Sequence, residues 1–128
     1  MSDGTQYRQG QIAWVDLTVP DAVAIRDFYR HVVGWESSPV SMGGYDDFNV
    51  MPRDGDPVAG ICNARGVNAD LPPAWMIYVV VEDLDASMEQ CTQRGGKVLS
   101  GPKAHGTSAR YCVIRDPAGA VCGLFQRL

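Results

Sequence analysis

Asp16 is the residue whose type and position best suit acid–base chemistry. In the stretch AWVDLTV, alternation places Trp14, Asp16 and Thr18 on one face of a predicted strand, and Val15 and Leu17 on the other. If the Asp16 face is turned inward, a carboxylate beside an aromatic side chain is expected to have a raised pKa. It could then act as a general base or recognise a cationic ligand. Alternatively, Asp16 is a solvated residue near the mouth of a site, or a hydrogen-bond partner of a neighbouring strand.

The cysteines and histidines give weaker chemical signals. The four cysteines show no CxxC spacing, so we interpret them as reduced thiols that mostly serve packing. A nucleophilic cysteine needs a nearby base or positive charge, and the sequence shows neither beside Cys62. His31 lies near the end of a predicted helix, where a cation suits the helix dipole. His105 lies in SGPKAHGTSA, which we predict to be a mobile loop, and is either a lid residue or merely exposed.

Composition narrows the class of protein. A chain of 128 residues with 45% hydrophobic content suits one compact domain, residues 1–128. With 11 basic against 15 acidic residues and no basic cluster, we expect neither a nucleic acid nor a membrane surface as partner. No apolar run approaches the roughly 18 residues of a membrane span, and MSDGTQYRQGQ lacks the pattern of a secretory signal. We therefore expect a cytoplasmic protein.

The elements that would position these residues follow a strand–helix–three-strand order, written twice. Asp21 and Asp83 each fit the N-cap of a helix that follows a strand, and glycines suit the two helix ends. The pattern predicts helices near 22–33 and 84–94, and strands near 12–19, 35–39, 45–52, 57–63, 74–81, 97–100, 109–115 and 120–126.

The two halves match at a constant offset of 62 residues. Asp21 then meets Asp83, Gly34 meets Gly96, and one extra residue before the last strand brings Gly60 onto Gly123. Identity at caps and turns, where backbone geometry restricts the choice of residue, is what a duplicated βαβββ unit is expected to keep. Chance similarity between two generic strand–helix pairs is the alternative, and it explains a constant offset less well.

This organisation predicts an α+β fold with two tandem βαβββ modules. Module one spans about 10–63, a connector rich in turn residues spans 64–73, and module two spans about 74–127. One helix can cover only one face of each sheet. The remaining faces are therefore expected to curve around a shared cavity or to dock onto a second chain.

Over about residues 10–127 the sequence resembles the glyoxalase / bleomycin-resistance / extradiol-dioxygenase superfamily, also called the vicinal oxygen chelate superfamily. The resemblance rests on IAWVDLTVPDAVAIRDFYRHVVGW, on VVVEDLDASMEQCTQRGGKV, and on the DP-x-G turn within YCVIRDPAGAVCGLFQ. It implies the duplicated fold predicted above. Because one fold hosts many chemistries, function has to be argued from the site.

The resemblance also implies four positions at which family enzymes hold a divalent metal ion. Carried over from the helix-capping aspartates and the turns before the closing strands, they are Trp14, Met76, Gly60 and Gly123. None offers a side-chain oxygen or nitrogen ligand. We therefore expect no metal and no other cofactor. The two glycines indicate an open apolar pocket; alternatively, the pocket is collapsed, and the glycines mark a close approach of backbone.

Strand parity, counted from these positions, predicts the wall of that pocket. Aromatic and thioether side chains would dominate, with few polar groups, as is usual for a small-molecule site. Tyr78 and Tyr111 could orient a ligand through their hydroxyls, or lie at a wet rim. The predicted ligand-binding residues are Trp14, Asp16, Asn49, Gly60, Cys62, Met76, Tyr78, Tyr111, Gly123 and Phe125.

Three functions remain open from the sequence. The first is a metal-free protein, a homodimer or a compact monomer, that binds a small, partly apolar or aromatic ligand. The second is a metal-independent lyase or isomerase that uses Asp16 or a tyrosine for proton transfer on a carbonyl compound. The third is a structural module with a vestigial pocket. We favour the first, expect a homodimer, and have no residue that establishes catalysis.

Overall fold

The computed structural model describes residues 6–128, in which two helices and eight strands follow the predicted order. The chain is α+β, with βαβββ written twice, as predicted from the sequence. The elements are β1 (Ile12–Val19), α1 (Ala22–Val33), β2 (Glu36–Ser41), β3 (Asp46–Met51), β4 (Ala59–Asn63), a short 3-10 helix (Gly66–Asn68), β5 (Trp75–Val80), α2 (Leu84–Gln93), β6 (Lys97–His105), β7 (Ala109–Arg115) and β8 (Val121–Arg127).

The helix caps and strand pairs repeat at the predicted offset. Asp21 accepts a hydrogen bond from the backbone N–H of Ala24 at 3.1 Å, and Asp83 accepts one from Ala86 at the same distance. Both contacts satisfy a helix N–H that has no partner within the helix. The parallel pairs also correspond, because β1 pairs with β4 and β5 pairs with β8. The duplication is therefore seen in backbone hydrogen bonding as well as in sequence.

Contacts divide the chain into two compact units. The first unit is Val15–Trp75, and the second joins Met76–Leu128 to the described residues up to Trp14. The division falls within β1, because residues 6–14 pack with the second unit. Gly10 donates its N–H to the carbonyl of Val80 at 2.8 Å. The assignment of one domain to the whole chain stays a prediction.

In the first unit the strands are ordered β2-β3-β4-β1. Helix α1 contacts β3 and β4. The core consists of aliphatic and aromatic side chains that alternate along the strands, together with Ala22 at the start of α1. Its buried members are Leu17, Val19, Ala22, Phe48, Val50, Ala59 and Ile61. Because side chains alternate across a strand, Asp16, Asn49, Gly60 and Cys62 lie on the opposite face, as parity predicted.

In the second unit the strands are ordered β5-β8-β7-β6, and α2 contacts β6, β7 and β8. Val81, Leu84, Cys112 and Leu124 form the core under α2. A second apolar cluster lies on the other face, built on Val80, Ala109 and Phe125, with Tyr7, Ala13 and Tyr111 packed against it. This unit therefore has apolar side chains on both sheet faces.

Strand β6 is longer than predicted, so the prediction that SGPKAHGTSA is a mobile loop is wrong. It continues to His105 and pairs with β7, with register shifts between Val98 and Lys103. A glycine at position 101 is required here. It has a φ of 96°, and a Cβ on it would lie 2.9 Å from the carbonyl oxygen of Tyr111. Glycine and proline in this segment thus accompany an irregular strand.

Neither of the two helices among residues 6–128 has the length and apolar composition that crossing a membrane requires.

A buried carboxylate connects the end of β4 to the start of α1. Asp47, only 8% exposed, accepts hydrogen bonds from the backbone N–H and the side-chain Nδ2 of Asn63, at 2.9 and 3.0 Å. The Asn63 Oδ1 in turn accepts the N–H of Ala22 at 3.4 Å. Asp47 therefore holds the amide that contacts the first residue of the helix.

We predict that Asp47→Ala lowers the free energy of unfolding by about 2 kcal/mol, because it leaves the backbone N–H of the half-buried Asn63 without its acceptor. The adjacent Asp46 is the matched control. Its side chain is exposed, and only its backbone carbonyl contacts Asn63, so Asp46→Ala should cost less than about 0.5 kcal/mol. Urea denaturation measures both, and equal losses would contradict the role of Asp47.

Candidate functional site

The sheet face turned away from α1 carries the predicted polar residues of the first unit. Gly60 pairs with Asp16 on β1 and with Asn49 on β3, and Cys62 pairs with Thr18. The structure thus brings Asp16, Asn49, Gly60 and Cys62 together on adjacent strands.

Asp47 belongs to this face, although the sequence analysis did not select it. It precedes Asn49 by two residues on β3, so the parity that placed Asn49 there could have found it. Burial raises the pKa of the Cys62 thiol, and the negative charges of Asp16 and Asp47 raise it further, as does a hydrogen bond with Asp47. Because the thiolate is the nucleophilic form, Cys62 is held in its unreactive state. The carboxylates are the groups on this face that suit proton transfer.

The corresponding face of the second unit is aromatic. Tyr78 and Tyr111 are half-buried, and their rings meet edge to face with centroids 6.2 Å apart. The His105 ring lies 6.4 Å from that of Tyr111 and 6.5 Å from that of Phe125. Edge-to-face geometry is favourable for such rings. His105, expected in a loop, is instead at the end of β6 beside this aromatic cluster.

Trp14 and Met76 are placed in the second unit, where Trp14 is half-buried on β1 and Met76, on β5, is 5% exposed. Their assignment as ligand-binding residues stays a prediction, as does the shared cavity.

The interpretation that Gly123 opens a void is wrong. Gly123 pairs with Tyr78 across the β5–β8 ladder, and a Cβ built on it would collide with Cδ1 and Cε1 of the Tyr78 ring. The glycine therefore makes room for a neighbouring aromatic ring, which already fills the space. The interpretation of Gly60 stays a prediction.

The residues at the metal positions implied by the family do not fit a metal ion. Trp14, Met76, Gly60 and Gly123 supply no oxygen or nitrogen side-chain donor, and the Tyr78 ring occupies the space beside Gly123. Across residues 6–128, no three side chains of histidine, cysteine, aspartate or glutamate are grouped so that they could hold an ion.

A surface groove of about 670 Å³ lies between the start of α1 and strands β2 and β3 of the first unit. The Cζ atom of Arg26 lies 4.5 Å from the centroid of the Phe48 ring, and the Cζ atom of Arg65 lies 4.2 Å from the centroid of the Tyr45 ring. Asp21 and Asp46 also line it, so its formal charges balance. No motif in the sequence indicated this groove.

Comparison with known proteins gives a family match over most of the chain. The model of the Glyoxalase/Bleomycin resistance protein/Dioxygenase superfamily matches residues 11–122. CFP32 of Mycobacterium tuberculosis, a candidate glyoxylase by its name, is 35% identical over 129 residues, which cover 98% of this chain and 49% of CFP32. The anthracycline biosynthesis protein DnrV of Streptomyces peucetius is 30% identical over 135 residues, with 96% and 49% covered. The chain thus spans about half the length of these curated relatives.

Solved structures agree on the fold. A variant of Streptomyces coelicolor methylmalonyl-CoA epimerase, in complex with 2-nitronate-propionyl-CoA, superposes with a TM-score of 0.59. The two sequences are 18% identical, and the match covers 93% of this chain and 95% of the epimerase chain. At that identity the likeness concerns the fold alone.

We predict that Gly123→Ala lowers the free energy of unfolding by about 1–3 kcal/mol, because the new methyl group displaces the Tyr78 ring. In a Tyr78→Ala background the same substitution should cost little, since the ring is gone. A double-mutant cycle by urea denaturation measures the difference. Additive effects of the two substitutions would show that the ring and the glycine are not coupled.

Proposed function

Because the chain belongs to the Glyoxalase/Bleomycin resistance protein/Dioxygenase superfamily, as its motifs predicted, we propose that it binds a small, partly apolar or aromatic ligand without a metal ion. The ligand packs on the sheet face of the second unit that is turned away from α2. The observation that carries the proposal is the aromatic character of this face. Tyr78 and Tyr111 are only half-buried, and the neighbouring His105 is exposed. Partly exposed aromatic rings with polar atoms are typical of small-molecule sites.

The name of one curated relative supports this class of ligand. DnrV is named for anthracycline biosynthesis, and anthracyclines are polycyclic aromatic compounds, so an aromatic-lined face suits a ligand of that chemistry. CFP32 is named as a candidate glyoxylase, which is an enzymatic role. Since both proteins are about twice as long as the matched region, we carry over the chemical class of ligand from DnrV and no reaction.

Proton transfer on a carbonyl compound is the second candidate function. It is favoured by the pair Asp16 and Asp47, whose negative charges both raise the pKa of the half-buried Cys62 in the first unit. A carboxylate near other acidic groups and partly removed from water is suited to act as a general base. Deuterium incorporation into a carbonyl substrate in D2O, lost in Asp16→Asn, would favour a metal-independent lyase or isomerase over a protein that only binds.

A homodimer also stays part of the proposal. Three apolar side chains of α1 support it, because they remain more than half exposed: Phe28 at 53%, Val32 at 60% and Val33 at 53%. Exposed apolar side chains close together on one helix are common at protein interfaces.

For ligand binding, the probe is 2-naphthol, a small aromatic alcohol. We expect it to bind with a dissociation constant measurable by titration calorimetry, and to raise the thermal midpoint. Tyr78→Ala and Tyr111→Ala should each weaken binding by about threefold to tenfold, because an aromatic contact is lost. Tyr45→Ala, in the first unit, is the matched control and should leave binding unchanged. If all three variants bind like the wild type, the site lies elsewhere.

For the metal, we expect less than 0.1 equivalent of zinc, nickel, manganese or iron per chain after expression in metal-rich medium, because a tight site needs about three or more converging donors. Mass spectrometry of the purified protein measures the content. A chelator should leave the thermal midpoint unchanged. Near one equivalent of metal, lost in Asp16→Ala or Cys62→Ala, would make this a metal-binding protein and end the proposal.

A further inference from the structure

Lys103 has a buried ammonium group without a partner. Its Nζ atom is shielded from solvent, and within residues 6–128 no hydrogen-bond acceptor contacts it. Within residues 6–128, the ion pairs Arg26–Asp27 and Arg110–Asp85 do not involve Lys103. The side chain as a whole is half-buried, which means that its charged end is the covered part.

Such an arrangement is unfavourable unless an anion completes it. Burial of an ammonium without hydrogen bonds is strongly unfavourable, and native proteins therefore pair almost all buried charges. Three aspartates of the second unit are engaged elsewhere. Asp85 binds Arg110, Asp83 caps α2, and Asp116 accepts the N–H groups of Ala118 and Ala120 in the turn before β8. In the described part of the chain, residues 6–128, the Lys103 ammonium is therefore buried without a carboxylate that neutralises its charge.

The pairing of strands places Lys103 on the aromatic face. Lys103 is directly opposite Tyr111 in the antiparallel β6–β7 ladder, and Tyr111 is opposite Phe125 in the β7–β8 ladder. Residues opposite each other in an antiparallel pair point to the same side of the sheet. The ammonium thus shares its face with the rings of Tyr111 and Phe125.

We propose that Lys103 binds the carboxylate of an organic anion whose apolar body packs against the half-buried rings of Tyr78 and Tyr111. This inference rests on the proposed function and specifies its ligand as anionic. A charge-assisted hydrogen bond from a buried ammonium is among the stronger polar contacts in proteins. It also selects against neutral analogues of the same shape, because these would leave the ammonium without a partner.

The test uses two probes of matched shape, 2-naphthoate and its neutral amide, 2-naphthamide, with the 128-residue chain and titration calorimetry. The wild type should bind the carboxylate about tenfold or more tightly than the amide. Lys103→Met, which removes the ammonium but keeps an unbranched side chain, should abolish this preference, and Lys103→Arg should retain it. Lys97→Met is the matched control. Lys97 is the only other lysine, is exposed, and lies on the same strand, so its replacement should leave the preference intact.

The stability of the unliganded protein provides a second measurement. Because its Nζ has no partner, Lys103→Met should unfold at the same or a higher urea concentration than the wild type. A large loss of stability would mean that the ammonium is paired within the fold, and it would overturn the inference. Circular dichroism verifies that each variant is folded.

The outcomes separate the inference from the function on which it rests. Equal affinities of the wild type for 2-naphthoate and 2-naphthamide would overturn the role of Lys103 and leave aromatic ligand binding in place. The same holds if Lys103→Met keeps the preference for the carboxylate. No binding of either naphthalene probe or of 2-naphthol would overturn the proposed function and, with it, this inference.

Discussion

The structure depends on one constraint: each four-stranded arrangement has a single helix to cover it. A helix can bury only one face of a sheet, so the aliphatic residues gather there and form the two cores under α1 and α2. The opposite faces do not pack against a helix, so their residues need not be aliphatic. In the first unit that face holds the carboxylates of Asp16 and Asp47 beside the half-buried thiol of Cys62, and in the second it holds aromatic rings and a lysine. One backbone plan thus presents two kinds of chemistry.

Features set by local backbone geometry could be predicted from the sequence. The bounds of β1 and α1 were predicted to the residue, because alternation, an aspartate cap and a terminal glycine mark them directly. The duplication was visible for the same reason, since Asp21 and Asp83 satisfy equivalent helix N–H groups. Even so, equivalent positions do not always keep equivalent roles. Gly34 is left-handed at the end of α1, whereas at the end of α2 it is Gly95, and not the aligned Gly96, that has a positive φ.

Features that depend on neighbours in space could not be predicted. Parity identified Gly123 correctly as part of the face turned away from α2, but whether a glycine leaves a void depends on the side chain across the ladder, and here that is the Tyr78 ring. Strand β6 escaped prediction because Gly101 and Pro102 interrupt its pattern. Its register shifts also break the count of alternating residues, so parity could not have assigned Lys103 to a face. Its position follows only from the observed pairing with Tyr111.

Burial has different consequences on the two sheet faces that are turned away from α1 and α2. For Cys62, the loss of water and the adjacent carboxylates act in the same direction, and both favour the protonated thiol. Cys62 is thereby held in its unreactive form, and proton transfer by the carboxylates stays a proposal. In the second unit the covered group is a cation on a face whose neighbours are aromatic, and no carboxylate of the described chain is paired with it. Aromatic rings can bind an apolar body, but they cannot hydrogen-bond all three N–H groups of an ammonium. Under the proposal made above, the polar part of recognition on that face comes from the bound anion.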